Sequence, residues 1–116
     1  MSKRVERVQE ELKYQISKVI QEDLKDPRLG FISLTKVIMP ADLKSARVYF
    51  SVLGDEKEIK SSTIALNHAV GFVKKLIAER MRLKFTPDLE FFYDDSIAYS
   101  QHISDVIEKL KKDEKM

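Results

Sequence analysis

An apolar stripe at helical spacing runs through the middle of this chain, and a glycine sits inside it. Counting about 100° per residue, Ile59, Leu66, Val70, Val73, Ile77 and Met81 share one face, flanked by Ala65, Ala69, Phe72 and Leu76. The spacing predicts helix from about Ile59 to Lys84, with the step Ala69-Val70-Gly71 at its centre. A helical glycine costs about 1 kcal/mol relative to alanine, so a local reason is expected. Two reasons compete. Either the helix packs too closely on a sheet to admit a Cβ, or the chain bends between two helices and presents bare backbone to a polyanion. Because the stripe keeps its phase through Gly71, any bend must leave the same side facing the core.

The remaining segments supply what this stripe packs against. Val5, Val8, Leu12, Ile16, Val19 and Ile20 recur at helical spacing and predict a first helix from about Val5 to Leu24. Each of these side chains contributes on the order of 1.5–3 kcal/mol when buried, so their face belongs to the core. Asp26-Pro27-Arg28-Leu29-Gly30 stops the helix, since proline disfavours helix at the residue before it and glycine permits a turn. Phe31 to Met39 is rich in β-branched and apolar residues and reads as a strand. In the second strand, Ala46 to Leu53, the residues Ala46, Val48, Phe50 and Val52 alternate with Arg47, Tyr49 and Ser51. Pro40 to Ser45 joins the two as a hairpin connection, which makes the pair antiparallel.

Thr86-Pro87-Asp88 ends the central helical run, and Leu89 to Tyr93 predicts a short third strand. Asp94-Asp95-Ser96 offers N-caps for a last helix, about Ile97 to Lys111, in which Tyr99, Ile103, Val106, Ile107 and Leu110 align. The order is therefore α-β-β-α-α-β-α. It belongs to the α+β class, with a three-stranded sheet, helices packed on one face and a comparatively polar opposite face. A length of 116 residues suits a single domain over residues 1–116, with 112–116 a frayed, charged tail.

Several chemistries have no residues to carry them. Zero cysteines remove disulfides, thiolate metal sites and cysteine nucleophiles. The chain has neither a long apolar run nor an apolar leader after Met1, so a cytoplasmic protein without a membrane partner is expected. His68 and His102 lack neighbours at metal-ligand spacing, and Gly30, Gly54 and Gly71 form no nucleotide-binding loop. Asp88, Asp94 and Asp95 read as turn and cap residues. With no set of nucleophile, base and oxyanion donor, the expectation is a non-enzyme with no cofactor, metal or small-molecule substrate.

A net charge of +2 is too small to imply a polyanionic partner, so the argument must come from where the charges lie. Lys57, Lys60, Asn67, His68, Lys74, Lys75 and Arg82 project opposite the apolar stripe, with Ile64 and Ala78 interrupting them and Glu79 at the edge. Between Lys74 and Lys84, the residues Lys74, Lys75, Arg80, Arg82 and Lys84 face Glu79 alone. The acidic partners usual one turn away are largely missing, which favours phosphate binding. The first helix instead mixes Arg4, Arg7 and Lys18 with Glu6, Glu10 and Glu11, and reads as solvated.

Over nearly its whole length the chain resembles the ribosome-binding factor A family of bacterial assembly factors. The blocks carrying the match are Asp26 to Ser33, Asp42 to Val52, Ala69 to Val73, Arg80 to Leu83, Pro87 to Phe91 and Asp94 to Ile97. The resemblance implies a type II KH-like fold, α-β-β-α-α-β, plus the C-terminal helix. KH domains grip nucleotides with a Gly-x-x-Gly loop. This chain has none, and Ala69-Val70-Gly71 matches the Ala-x-Gly bend of the family instead. The resemblance further implies binding to the 30S subunit, contact with 16S ribosomal RNA, and help in late 16S processing and maturation, especially in the cold.

The resulting expectation is a non-catalytic domain, monomeric when free, that docks on folded rRNA. Lys74, Lys75, Arg80, Arg82 and Lys84 would neutralise phosphates, while Asn67, His68, Ala69 and Gly71 allow close approach. Arg28 and Arg47 are further candidates, placed by their neighbourhood in the matched blocks. The competing expectation is a protein–protein module that docks through its sheet face or first helix.

Overall fold

Strand β2 (Ser45–Leu53) forms the centre of the sheet in the computed structural model, which describes residues 2–95. It pairs antiparallel with β1 (Phe31–Ile38) and parallel with β3 (Asp88–Tyr93), giving a mixed three-stranded sheet in the order β1-β2-β3. The alternation along β2 separates the faces: Ala46, Val48, Phe50 and Val52 are buried, and Arg47 is exposed. Parallel pairing requires a crossover. Helices α2 (Glu56–His68) and α3 (Val70–Arg80) make it, and with α1 (Lys3–Lys18) they pack on the buried face. The expected order α-β-β-α-α-β is present, while the last helix and charged tail fall outside the described residues.

Strand β1 holds an irregularity that keeps its core side apolar. Leu34 pairs with Phe50 and Lys36 with Tyr49, so Thr35 is an extra residue, a β-bulge. With strict alternation, Ile32 and Leu34 facing inward would bring Lys36 inward too. The bulge resets the parity: Val37 and Met39 are buried, and Lys36 emerges over the Tyr49 ring at 4.7 Å. The extra side chain is also bonded, with Thr35 Oγ1 donating to Asp94 Oδ2 at 2.7 Å.

Three expectations shift. Helix α1 stops at Lys18, and a π-helical turn, Val19–Asp23, replaces the last regular turn expected up to Leu24. It is closed by the Leu24 N–H donating to the Val19 carbonyl at 2.9 Å, and the wider turn keeps adjacent Val19 and Ile20 both in the core. The central run starts earlier, at Glu56, because Asp55 caps it by accepting the Glu58 N–H at 2.9 Å. It ends at Arg80, before Lys84. The solvent face of the sheet is less polar than expected: Tyr49 stacks on Phe92 at 5.6 Å, and Phe31 and Leu53, register partners, are 80% and 78% exposed.

Phe50 anchors the core, edge-on to Phe91 at 6.4 Å and to Tyr93 at 5.9 Å. Phe50→Ala is expected to lower unfolding stability by about 3–5 kcal/mol, measured by urea titration. A loss under about 1 kcal/mol would mean that this site collapses without a cavity.

Candidate nucleic-acid interface

Ala69 is the single residue between α2 and α3, with φ −91° and ψ −1°. Its N–H reaches the carbonyls of Ala65 and Leu66 at 3.1 Å, and its own carbonyl accepts the Val73 N–H at 2.9 Å. The break therefore falls at Ala69, two residues before the glycine. Core residues Ser62, Ala65, Leu66, Ala69, Val73 and Ile77 continue at helical spacing across it, so phase is preserved as the stripe requires.

Gly71 then has neither of the usual structural reasons. No glycine among the described residues has positive φ. Apart from its own helix backbone and chain neighbours, no atom of the described residues lies within 4 Å of a Cβ built on Gly71, which argues against close packing on the sheet. No side chain among the described residues caps the start of α3. What the glycine leaves is open backbone in the first turn of a helix, where amide groups lack intrahelical partners and the dipole is positive.

Exposed Asn67, His68 and Lys75 surround this spot, with Phe72 and Ile64 also exposed on the outer surface of the helix pair. Arg28 joins them from the loop before β1: its Nη1 lies 3.2 Å from His68 Nδ1. Asp26 holds the guanidinium in place, with Arg28 Nη2 at 2.7 Å from Oδ2 and Nε at 3.0 Å from Oδ1. The Arg28 backbone N–H donates to Oδ1 at 2.9 Å as well. Those bonds, the side-chain ones foremost, hold the Asp26 carboxyl down at about 2 from its ordinary 3.8.

Two serines that the sequence reading missed dock this loop on α2. Ser62 is fully buried and accepts the Gly30 N–H at 3.0 Å, while Ser61 donates to the Arg28 carbonyl at 3.0 Å. Adjacent serines inside a helix were the available signal, since such hydroxyls favour bonds to backbone. Their targets, Gly30 at 32 positions from Ser62 and Arg28 at 33 from Ser61, leave no local trace.

The other expected residues do not gather here. Lys74 is half-buried and pairs with Asp88 at 2.6 Å, and Arg80 pairs with Asp23 at 2.8 Å, an interaction that lowers the Asp23 pKa. The absence of acidic residues one turn away had suggested free cations. The carboxylates come instead from β3 and the π turn, which only the tertiary fold brings near. Arg82 and Lys84 lie beyond the end of α3, whose 1.5 Å rise per residue puts Arg80 roughly 14 Å from Gly71. Arg47 is on the open sheet face beside its register partners Ile38 and Glu90, opposite the helices. Ala69 is itself buried and sets the junction without offering a contact. Asp88 and Asp94 serve as bonding partners, as turn residues do, and no group of acidic or histidine residues among those described could hold a metal ion. No helix among the described residues is long and apolar enough to cross a membrane.

Order, sheet and uncapped Ala-x-Gly junction together define a type II KH-like domain that lacks the usual Gly-x-x-Gly grip. The family model described as ribosome-binding factor A matches residues 4–107, and the chain belongs to that family. It is 48% identical over 113 residues to the ribosome-binding factor A of Macrococcus caseolyticus, covering 97% of this chain and 99% of that one. The crystal structure of ribosome-binding factor A from Thermus thermophilus superposes with a TM-score of 0.69 at 27% identity, over 77% of this chain and 93% of that one. A homology model of the Thermus thermophilus factor, fitted into a cryo-EM map of a 30S complex, gives a TM-score of 0.64 at 28% identity, over 75% and 91% of the two chains.

Gly71→Ala is expected to raise unfolding stability by about 0.5–1 kcal/mol in urea titration, because the site is helical and sterically open. A loss of stability would mean that the glycine is structurally required. For Asp26, the folded pKa is depressed, so its contribution is present above pH 3.8 and disappears as pH falls towards 2. NMR titration should find this carboxyl still ionised at pH 3, and Arg28→Ala should raise its pKa towards the ordinary value, short of it because the backbone N–H bond at residue 28 remains.

Proposed function

We propose that this protein is a non-catalytic assembly factor that binds the 30S ribosomal subunit and contacts 16S rRNA through the junction of α2 and α3. In this reading it works in the cytoplasm, is monomeric when free, and assists late 16S processing and maturation, with most effect in the cold. Family membership supports the partner, as does the 30S complex in which the Thermus thermophilus relative was fitted. The observation that carries the site is the open backbone above Gly71.

The physics suits structured RNA. Absent a side chain at Gly71, a phosphate can approach the first amides of α3 and meet the positive end of its dipole. Lys75 adds charge without base preference, Arg28, its charge offset by Asp26, adds a directed guanidinium donor, and the exposed Phe72 and Ile64 give apolar contact with sugar or base edges. Arg28 is suited to this because Asp26 and the serine-docked loop fix its direction before RNA arrives, which reduces the ordering cost of binding.

Gly71→Gln and Lys75→Glu test this directly in a 30S pelleting assay. Each should bind at least tenfold more weakly while melting no lower than the parent protein, and cells relying on Gly71→Gln should accumulate 16S precursors at low temperature. Parental 30S binding by both variants would reject the junction as the docking site. The exposed Phe31–Leu53 pair favours a second reading, a protein–protein contact at the sheet end. That reading requires subunit binding insensitive to salt and lost in Phe31→Ser.

A further inference from the structure

At the far end of α3 from Gly71, the first turn of α1, the turn Ala41–Lys44 and the segment following α3 enclose a cleft of about 330 Å³. Arg4, Lys44, Arg82, Lys84 and Phe85 line it, and among the described residues Asp42 is the one carboxylate on its wall. Among the described residues none of these four cations forms an ion pair, unlike Arg28, Lys74 and Arg80. The mixed charge of α1 had marked Arg4 as merely solvated. Folding brings it into one cleft with Arg82 and Lys84.

Two further features set this cleft apart from a chance cluster. The first is strain. Leu43, with φ 58°, is the one non-glycine residue of positive φ among those described. A leucine in that region persists only when its surroundings hold it there, and such residues concentrate at functional sites. The holding bonds are visible: the Leu43 N–H donates to the Pro40 carbonyl, the Lys44 N–H to Asp42 Oδ1, and the Asp88 N–H to the Lys44 carbonyl, each at 3.0 Å. Together they fix where Lys44 leaves the turn. The second is Phe85, 49% exposed, with the Lys44 ammonium 5.3 Å and the Lys84 ammonium 5.5 Å from its ring centroid. Two like charges sharing one ring repel each other, and an anion between them relieves that repulsion.

We propose that this cleft is a second RNA-binding site, separate from the Gly71 junction, which takes an unpaired nucleotide of a single strand. The phosphate sits among Arg4, Lys44 and Lys84, and Arg82 meets the neighbouring phosphate. Drawn to the phosphate, the two lysines uncover the Phe85 ring, and the base stacks on it. A duplex cannot use such a site, because its bases already stack on one another. The cleft volume falls within the range of about 300–1,000 Å³ typical of small-ligand sites. The proposal rests on the RNA-binding reading only for the identity of the polyanion.

The test uses the full chain and fluorescently labelled octauridylate, read by anisotropy, with an eight-base-pair RNA duplex, uridine monophosphate and inorganic phosphate as competitors. Octauridylate should bind more tightly than any competitor. Phe85→Ala should weaken it about tenfold or more with an unchanged salt slope, since stacking releases no counterions. The double variant Arg4→Glu/Lys44→Glu should weaken it and reduce the slope by about 2. Tyr14→Ala, which removes an aromatic ring 61% exposed elsewhere on α1, should leave it unchanged. Parental affinity in Phe85→Ala overturns the proposal, as does equal competition by duplex or by uridine monophosphate. This assay contains no ribosomal subunit, so its failure is distinguishable from failure of 30S docking at Gly71.

Discussion

Parallel pairing of β3 beside β2 governs where nearly every basic side chain ends up. Two parallel neighbours cannot be joined by a tight turn, so the chain must leave the end of β2, cross one face of the sheet and return to start β3 beside Ser45. The helix pair α2–α3 is that crossover, and its apolar stripe closes the core over Val48 and Phe50. The Asp88 N–H bonded to the Lys44 carbonyl locks the return at one end, and the Asp94 N–H bonded to the Phe50 carbonyl locks it at the other. Buried Pro87 sits at the point of entry. As a result the segment after α3 is pressed against the β1–β2 turn, while the α2–α3 junction is left at the opposite end with Asn67, His68 and Gly71 exposed.

Charge follows from that geometry rather than from the linear run of lysines and arginines. Lys74 and Arg80 are neighbours of other cations in sequence, yet each is neutralised by a carboxylate from a different element. These exposed pairs add little to stability. Their consequence is to divide the basic surface. Lys75 with Arg28 belongs to the junction, Arg82 and Lys84 belong to the cleft beside α1, and Arg47 lies with Lys36 on the open sheet face. A single continuous basic face, as a helical projection implies, does not form, because α3 ends at Arg80 and Arg82 no longer follows its axis.

Gly71 shows how a sequence signal can be correct in position and ambiguous in cause. Its presence in a helical stripe announced a special place, but close packing and open backbone leave the same mark on the chain. Only the empty space around it distinguishes them. The β-bulge at Thr35 is a similar case. The apolar residues of β1 do not hold one parity, and the reason became evident once the pairing partners Leu34–Phe50 and Lys36–Tyr49 were in view. Ser61 and Ser62 were overlooked for a related reason: their partners at Arg28 and Gly30 sit in another element.

Periodicity, turn residues and caps are local, so residue order alone determined the helices, the strands, the inward faces of β2 and α1, and the phase kept across Ala69. The matched blocks carried the family in the same way, through identities that require no coordinates. Tertiary structure decided which cations remain unpaired, that Arg28 meets His68, that Arg4 joins Lys44 and Phe85, and that the space over Gly71 is empty. The physical reason is range. Backbone preferences act within a turn or two of helix, whereas ion pairing and steric access depend on distances set by segments far apart in the chain, which exist only once the sheet has closed.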